Sequence, residues 1–316
     1  MTLFLLRRTG LLVVSLAVAS IVVFALLRLL PGDVATTIGG INYTPAQLAA
    51  LRAQLGLDRP LPVQYLSWIG GVLHGDFGHS QLNGASVSAE LGRKLQVSGP
   101  LVIGAITISL SLALPLGTWA AVRSRTVAGG ALSALSQLGI AVPGLWLALL
   151  LITVFAVELK WLPAQGFPVD GWDQPGQAVR SLVLPCLALG LTEGAVLLRF
   201  VRSAVLGVLH ADFLRTARAK GLTRGQALLR HGFRNAALPV VSILGIQIAT
   251  LLVGGVVVET VFTLPGIGNM LVTDVGNRDL VKVQGEMLLL VAAILAIGFL
   301  VDIAHRLIDP RTAGAR

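Results

Sequence analysis

Few residues in this chain are equipped for chemistry beyond packing, and their types and spacing can be weighed one set at a time. A phosphate-cradling loop needs Gly-Lys followed by Ser or Thr. The four lysines, Lys94, Lys160, Lys220 and Lys282, follow Arg, Leu, Ala and Val, so no nucleotide site is expected here. Gly266-Ile267-Gly268-Asn269-Met270-Leu271 lacks the third glycine of a dinucleotide turn. His74 and His79 are five apart, a poor ligand spacing on a helix, and no His-Glu-x-x-His occurs. Cys186 is the single cysteine and sits in an apolar run, which excludes an intrachain disulfide and reads as a packed small hydrophobe. No catalytic and no metal-ligating residues are predicted.

Two features remain. The first is a set of acids inside apolar runs, where a carboxylate costs roughly 2.5 to 3.5 kcal/mol on insertion scales and so tends to face an aqueous path. Glu193 is the clearest of these, and Glu193 and Glu259 are the candidates for lining a substrate pathway; Glu193 could equally bond a neighbouring helix. Glu259, Glu286 and Asp302 lie nearer the ends of their runs and are expected at the interface.

The second is a basic segment, Asp212, Phe213, Leu214, Arg215, Thr216, Ala217, Arg218, Ala219, Lys220, Gly221 and Leu222. Asp212 can cap a short helix, and Gly221 can end it in a left-handed conformation. Thr223-Arg224-Gly225-Gln226 matches a capping box opening a second helix. Small, apolar and cationic residues on a rigid, glycine-bent protrusion are what a docking surface needs. The bland alternative is a solvated basic loop beside anionic lipid, each cation adding about 1 kcal/mol. A lipid loop needs charge but neither caps nor a glycine stop.

The elements that must position these residues follow from composition. Of 316 residues, 55% are hydrophobic and only 12% charged, which rules out an ordinary soluble domain. At 1.5 Å per residue, a hydrocarbon core of about 30 Å needs roughly 20 apolar residues. Residues 9–27, 95–122, 126–157 and 235–258 carry no charge; 181–198 is interrupted only by Glu193 and 283–301 only by Glu286. Six membrane-spanning helices are predicted, and the fold class is an all-α integral membrane protein. The first run is read as a retained anchor rather than a cleaved signal, because hydrophobicity continues past Ala17-Val18-Ala19 to Leu27.

With the N-terminus inside, fifteen basic and four acidic residues fall on the cytoplasmic side, against nine basic and eleven acidic outside. The positive-inside rule therefore puts both termini in the cytoplasm, and most of the +9 net charge is topology rather than a nucleic-acid surface. The chain divides into an N-terminal tail and first helix (1–30), an extracytoplasmic cap (31–94), a core with helices two to six (95–305, inner loop 201–238) and a cytoplasmic tail (306–316). In the cap, Thr44 is placed as N-cap before Pro45 with Gly56 as stop, and 63–73 forms a second helix, its Tyr65 and Trp68 at the interface.

Ala217-Arg218-Ala219-Lys220-Gly221-Leu222, then His231 and Arg234-Asn235-Ala236-Ala237-Leu238-Pro239, resemble the cytoplasmic motif of ATP-binding-cassette (ABC) importer permeases. The match is nearest the B-type subunit of the dipeptide, oligopeptide and nickel branch. Leu30-Pro31-Gly32-Asp33, Gly56-Leu57-Asp58-Arg59-Pro60, Gly75-Asp76-Phe77-Gly78 and Trp161-Leu162-Pro163 support it. So do Glu259-Thr260-Val261-Phe262 with Pro265-Gly266-Ile267-Gly268, and Asp309-Pro310-Arg311. Arg215-Thr216-Ala217 stands where the general motif has Glu-Ala-Ala.

The resemblance implies a type I ABC importer permease bundle in the cell inner membrane, pairing with a homologous second permease subunit. It implies one or two cytoplasmic ABC ATPase subunits docking on residues 212–222, and an extracytoplasmic substrate-binding protein delivering short peptides. No cofactor is expected on this chain; ATP and Mg would be bound by the ATPase subunits. Beyond the membrane lipid, no nucleic acid is expected. The alternatives are a nickel or other small-solute ABC permease, and, in a different class, a stand-alone secondary transporter, which would need inverted repeats or paired intramembrane charges. An intramembrane enzyme would need a convergent catalytic pair, and only Glu193 is at depth.

Overall fold

In lipid, every backbone N–H and C=O must be bonded within the protein, so long apolar runs become helices. The computed structural model describes residues 2–29, 35, 38, 43–54 and 56–308, and among these there are helices and one isolated bridge, His79 with Ser86, but no strand. The motifs at Leu30–Asp33 and Asp309–Arg311 lie outside the described residues.

Five helices are long and apolar enough to cross a membrane: Thr2–Leu29, Val87–Val122, Pro175–Leu209, Gly225–Val261 and Leu280–Ile308. The uncharged run 126–157, expected as one span, is built of two helices, Val127–Ala141 and Gly144–Glu158, bent by 97°. The cause is Pro143, which has no N–H to continue the ladder and drives Val142 to an extended φ of −78° and ψ of 121°. Six spans are reached when the bent pair counts as one.

The chain forms two compact units. The first comprises residues 1–98 and 265–296. It holds α1 (Thr2–Leu29), α2 (Pro45–Gln54), α3 (Leu61–Leu73), the start of α4 (Val87–Val122), α11 (Ile267–Gly276) and the first turns of α12 (Leu280–Ile308). The predicted cap of α2 forms as a reciprocal pair: Thr44 N–H donates to Gln47 Oε1 at 2.8 Å and Gln47 N–H to Thr44 Oγ1 at 3.4 Å. Gly56, at φ +68°, follows as the expected stop. On α3, the rings of Tyr65 and Trp68 pack round Phe24 of α1 with centroids 5.5 and 6.3 Å away, and Tyr65 Oη lies 2.8 Å from Ser20 Oγ.

The second unit comprises residues 99–264 and 297–316. It holds the rest of α4, then α5 (Val127–Ala141), α6 (Gly144–Leu151) with its π-helical continuation Ile152–Glu158, and α7 (Pro175–Leu209). After these come α8 (Asp212–Ala219), α9 (Arg224–Ala227) and α10 (Phe233–Val261). Within this unit α7 packs on α5, α6 and α10. It also meets α4 so closely that a Cβ on Gly190 would lie 2.7 Å from Ile108 Cβ. Helices in lipid gain little hydrophobic drive against each other, so this contact depends on the missing side chain.

Candidate docking segment and membrane-depth acids

The basic segment is built from the inside out. Leu214 and Ala217, one helical turn apart on α8, turn into an apolar cluster with Val205, Val208, Leu228, Ala236 and Val240, and Leu214 is 1% exposed. Full burial of a leucine contributes about 1.5–3 kcal/mol. Asp212 and Arg215 pair across the first turn at 3.5 Å with side chains 94% and 73% exposed, a contact worth about 0.2–1 kcal/mol. The leucine, not the ion pair, holds α8 in place.

The expected N-cap is corrected. Ala211, extended at φ −71° and ψ 143°, occupies the cap position, and Asp212 sits one residue later with no side-chain capping bond. There its charge still complements the positive end of the helix. The C-terminus forms as expected: Gly221 lies at φ +94°, its N–H donates to Arg218 O at 2.9 Å, and Leu222 N–H reaches Ala217 O at 3.4 Å. This is a Schellman closure, and Leu222, just beyond it, packs on the same apolar cluster. A Cβ on Gly221 would touch nothing within 4 Å, so the left-handed backbone alone demands glycine.

The second helix opens on the predicted capping box, with Thr223 N–H donating to Gln226 Oε1 at 3.1 Å and Gln226 N–H to Thr223 Oγ1 at 3.3 Å. It continues through a π-helical turn, Leu228–Gly232, into α10, which carries Pro239 in its interior. Of the predicted segment, Asp212, Phe213, Arg215, Thr216, Arg218, Ala219, Lys220 and Gly221 are exposed, while Leu214 and Ala217 are consumed internally. Phe213 is 41% exposed.

The acids separate. Glu193 is half-buried on α7, where its backbone carbonyl accepts a 2.8 Å bond from Gln247 Nε2 of α10. Glu259, also on α10, is 3% exposed. It lies twelve residues, or about 18 Å of helix, beyond the glutamine that touches Glu193, so the two candidates do not converge. Asp302 is half-buried.

Glu286 is fully enclosed in the first unit, facing Asp274, Asp279 and Lys282. Neither of its carboxyl oxygens has a hydrogen-bond partner among the described residues. Lys282 Nζ lies 2.6 Å from Glu90 Oε2 and 3.5 Å from Asp274 Oδ2, and Ser80 Oγ donates to Asp279 Oδ2. Sequence reasoning missed this cluster. The available signal was Lys282 and Glu286 four apart at the start of a long apolar run, a spacing that puts a cation and an acid on one face. Among the described residues, no group of three or more His, Cys, Asp or Glu is arranged to hold a metal ion.

Comparison with known proteins adds to this geometry. Residues 113–314 match the family model of the binding-protein-dependent transport system inner membrane component, and residues 1–116 match the model of the N-terminal region of such membrane components. A putative peptide transport system permease protein of Brucella abortus is 37% identical over 311 residues, 98% of this chain and 99% of the relative. A putative peptide permease protein of Brucella ovis is 38% identical over 297 residues, 92% of this chain and 93% of the relative. The dipeptide transport system permease protein of Escherichia coli K12 is 35% identical over 331 residues, 98% of each chain.

Proposed function

Since the chain belongs to the family of binding-protein-dependent transport system inner membrane components, multi-pass permeases of the inner membrane, we propose that it forms half of an ATP-driven pathway for short peptides. A homologous permease supplies the other half. Both termini face the cytoplasm, as the charge asymmetry directs, and an extracytoplasmic binding protein delivers the peptide. One or two ATPase subunits carry ATP and Mg and dock on the exposed face of α8. Peptide is the substrate that the named relatives share.

One observation carries the reading: α8 is anchored by Leu214 and closed by Gly221, yet it turns Phe213 with Arg215, Arg218 and Lys220 outward. Reversing a 1:99 population between two states takes about 5.5 kcal/mol of differential binding. A helix with fixed ends and a buried anchor passes such a bias into α7 and α10, where a loose loop would absorb it.

The test uses the complete complex in proteoliposomes. A cross-linker placed at Phe213 should capture the ATPase, and Gly221→Val should leave membrane insertion intact while ATP hydrolysis runs without peptide uptake. Cross-links confined to lipid, or normal uptake in that variant, would overturn the assignment.

A further inference from the structure

A second site, unconnected with the docking segment, lies in the connection between the π-helical end of α6 and α7. A cavity of about 550 Å³ is lined by Lys160, Trp161, Gln165, Phe167, Gln177 and Arg180 among others, and no acidic residue lines it. Pockets for small ligands fall in this size range.

Its walls are fixed by bonds to the surrounding second unit. Trp161 N–H donates to Phe155 O at 3.0 Å and its ring packs on Phe155 with centroids 6.0 Å apart. Gly166 N–H donates to Phe262 O at 2.8 Å, and Gln165 Nε2 to Val261 O at 3.3 Å. Phe167 meets Trp172 edge to face at 5.9 Å. Arg180 Nη2 donates to Trp161 O at 2.8 Å, which orients the guanidinium and leaves its other N–H groups for a ligand.

The charges that line the cavity have one sign, and Asp170, shortly before α7, accepts a bond from Gln174 Nε2 at 3.1 Å. Gln177 and Arg180 project from the first turns of α7, a 35-residue helix whose first turn holds no acid and whose N-cap, Gln174, makes no side-chain capping bond. The positive end of that helix adds to Arg180 and Lys160 and favours a negative group. Beside the cations stand the amides of Gln165 and Gln177 and the rings of Trp161 and Phe167, which match a peptide main chain and an apolar side chain. A phosphate headgroup would use the cations and leave the amides and rings idle.

We propose that this cavity binds the carboxylate end of a short peptide, with Lys160 and Arg180 holding the carboxylate. The proposal rests on the peptide-permease reading above and extends it by naming a substrate subsite on this chain.

The test measures binding of trialanine and of its C-terminal amide by calorimetry. The sample is the full chain with its co-purifying partners in neutral phosphatidylcholine nanodiscs, without a binding protein. A charge-assisted hydrogen bond predicts about tenfold to a hundredfold weaker binding of the amide. Lys160→Gln, which leaves the Arg180–Trp161 bond untouched, should shrink the gap between acid and amide. Equal binding of the two, no binding of trialanine, or an undiminished gap in the variant would overturn the proposal. So would displacement of trialanine by phosphatidylglycerol, which would mark a lipid headgroup site. Capture of the ATPase by residue 213 is scored in the same sample. Capture with no trialanine binding sinks the subsite alone, whereas trialanine binding with no capture sinks the ATPase docking on α8 and leaves the subsite.

Discussion

Around α8 the ions point outward and Leu214 and Ala217 inward; around Lys282 the ions are the interior. Both regions set acidic side chains against basic ones, yet the physical terms differ. Asp212 and Arg215 meet in water, where screening and side-chain entropy leave little net gain. Lys282, Glu90 and Asp274 meet inside protein, where the pair itself is weak evidence for stability but loss of one partner strands a buried charge. The exposed ions are available to another molecule. The enclosed ones commit α4, α11 and α12 to each other within the first unit.

Substitutions can break this contrast in graded steps. Lys282→Met should have the largest effect, about 3–5 kcal/mol, because the Glu90 and Asp274 carboxylates stay inside the protein and lose the Lys282 cation. Thermal unfolding in detergent would show it, and adding Glu90→Gln should restore part of the loss; an unchanged melting curve for Lys282→Met would erase the contrast. Leu214→Ala comes next, about 2–4 kcal/mol by leucine-to-alanine precedent. Its signature is faster hydrogen exchange in the α8 amides, and unaltered exchange would mean that the buried leucine is not the anchor. Gly221→Val should cost about 1–2 kcal/mol, through the left-handed backbone alone. Loss of protection at the Leu222 amide would sharpen the role of the Schellman closure. Asp212→Asn should move the melting temperature least, since its pair is worth about 0.2–1 kcal/mol. A shift as large as that of Leu214→Ala would place the anchoring on the surface instead.

Much of this organisation was legible along the chain. Uncharged runs located the spans, Thr44 capped the helix that Pro45 opens, and the reciprocal cap at Thr223–Gln226 formed where Thr-x-x-Gln predicted it. Gly221 adopted the left-handed turn expected of it. Each of these is settled by neighbours within one or two turns. The errors have equally local causes that were outweighed. Counting charges in 126–157 passed over Pro143, and the preference of aspartate for N-caps passed over Ala211, whose extended backbone takes that position. Phe213 and Leu214 are adjacent and similarly apolar, and nothing in their types says which faces outward.

What the sequence determined by itself is therefore the solvent, the helices and their caps, because backbone bonding in lipid and at helix ends is satisfied among residues close along the chain. Only the tertiary structure decided that Glu286 is enclosed with Lys282, that Ser80 serves Asp279 from 199 positions away, and that Lys160 and Arg180 share one cavity. A charge's surroundings are set by distant segments arriving beside it, and a one-dimensional pattern contains the charge but not its company.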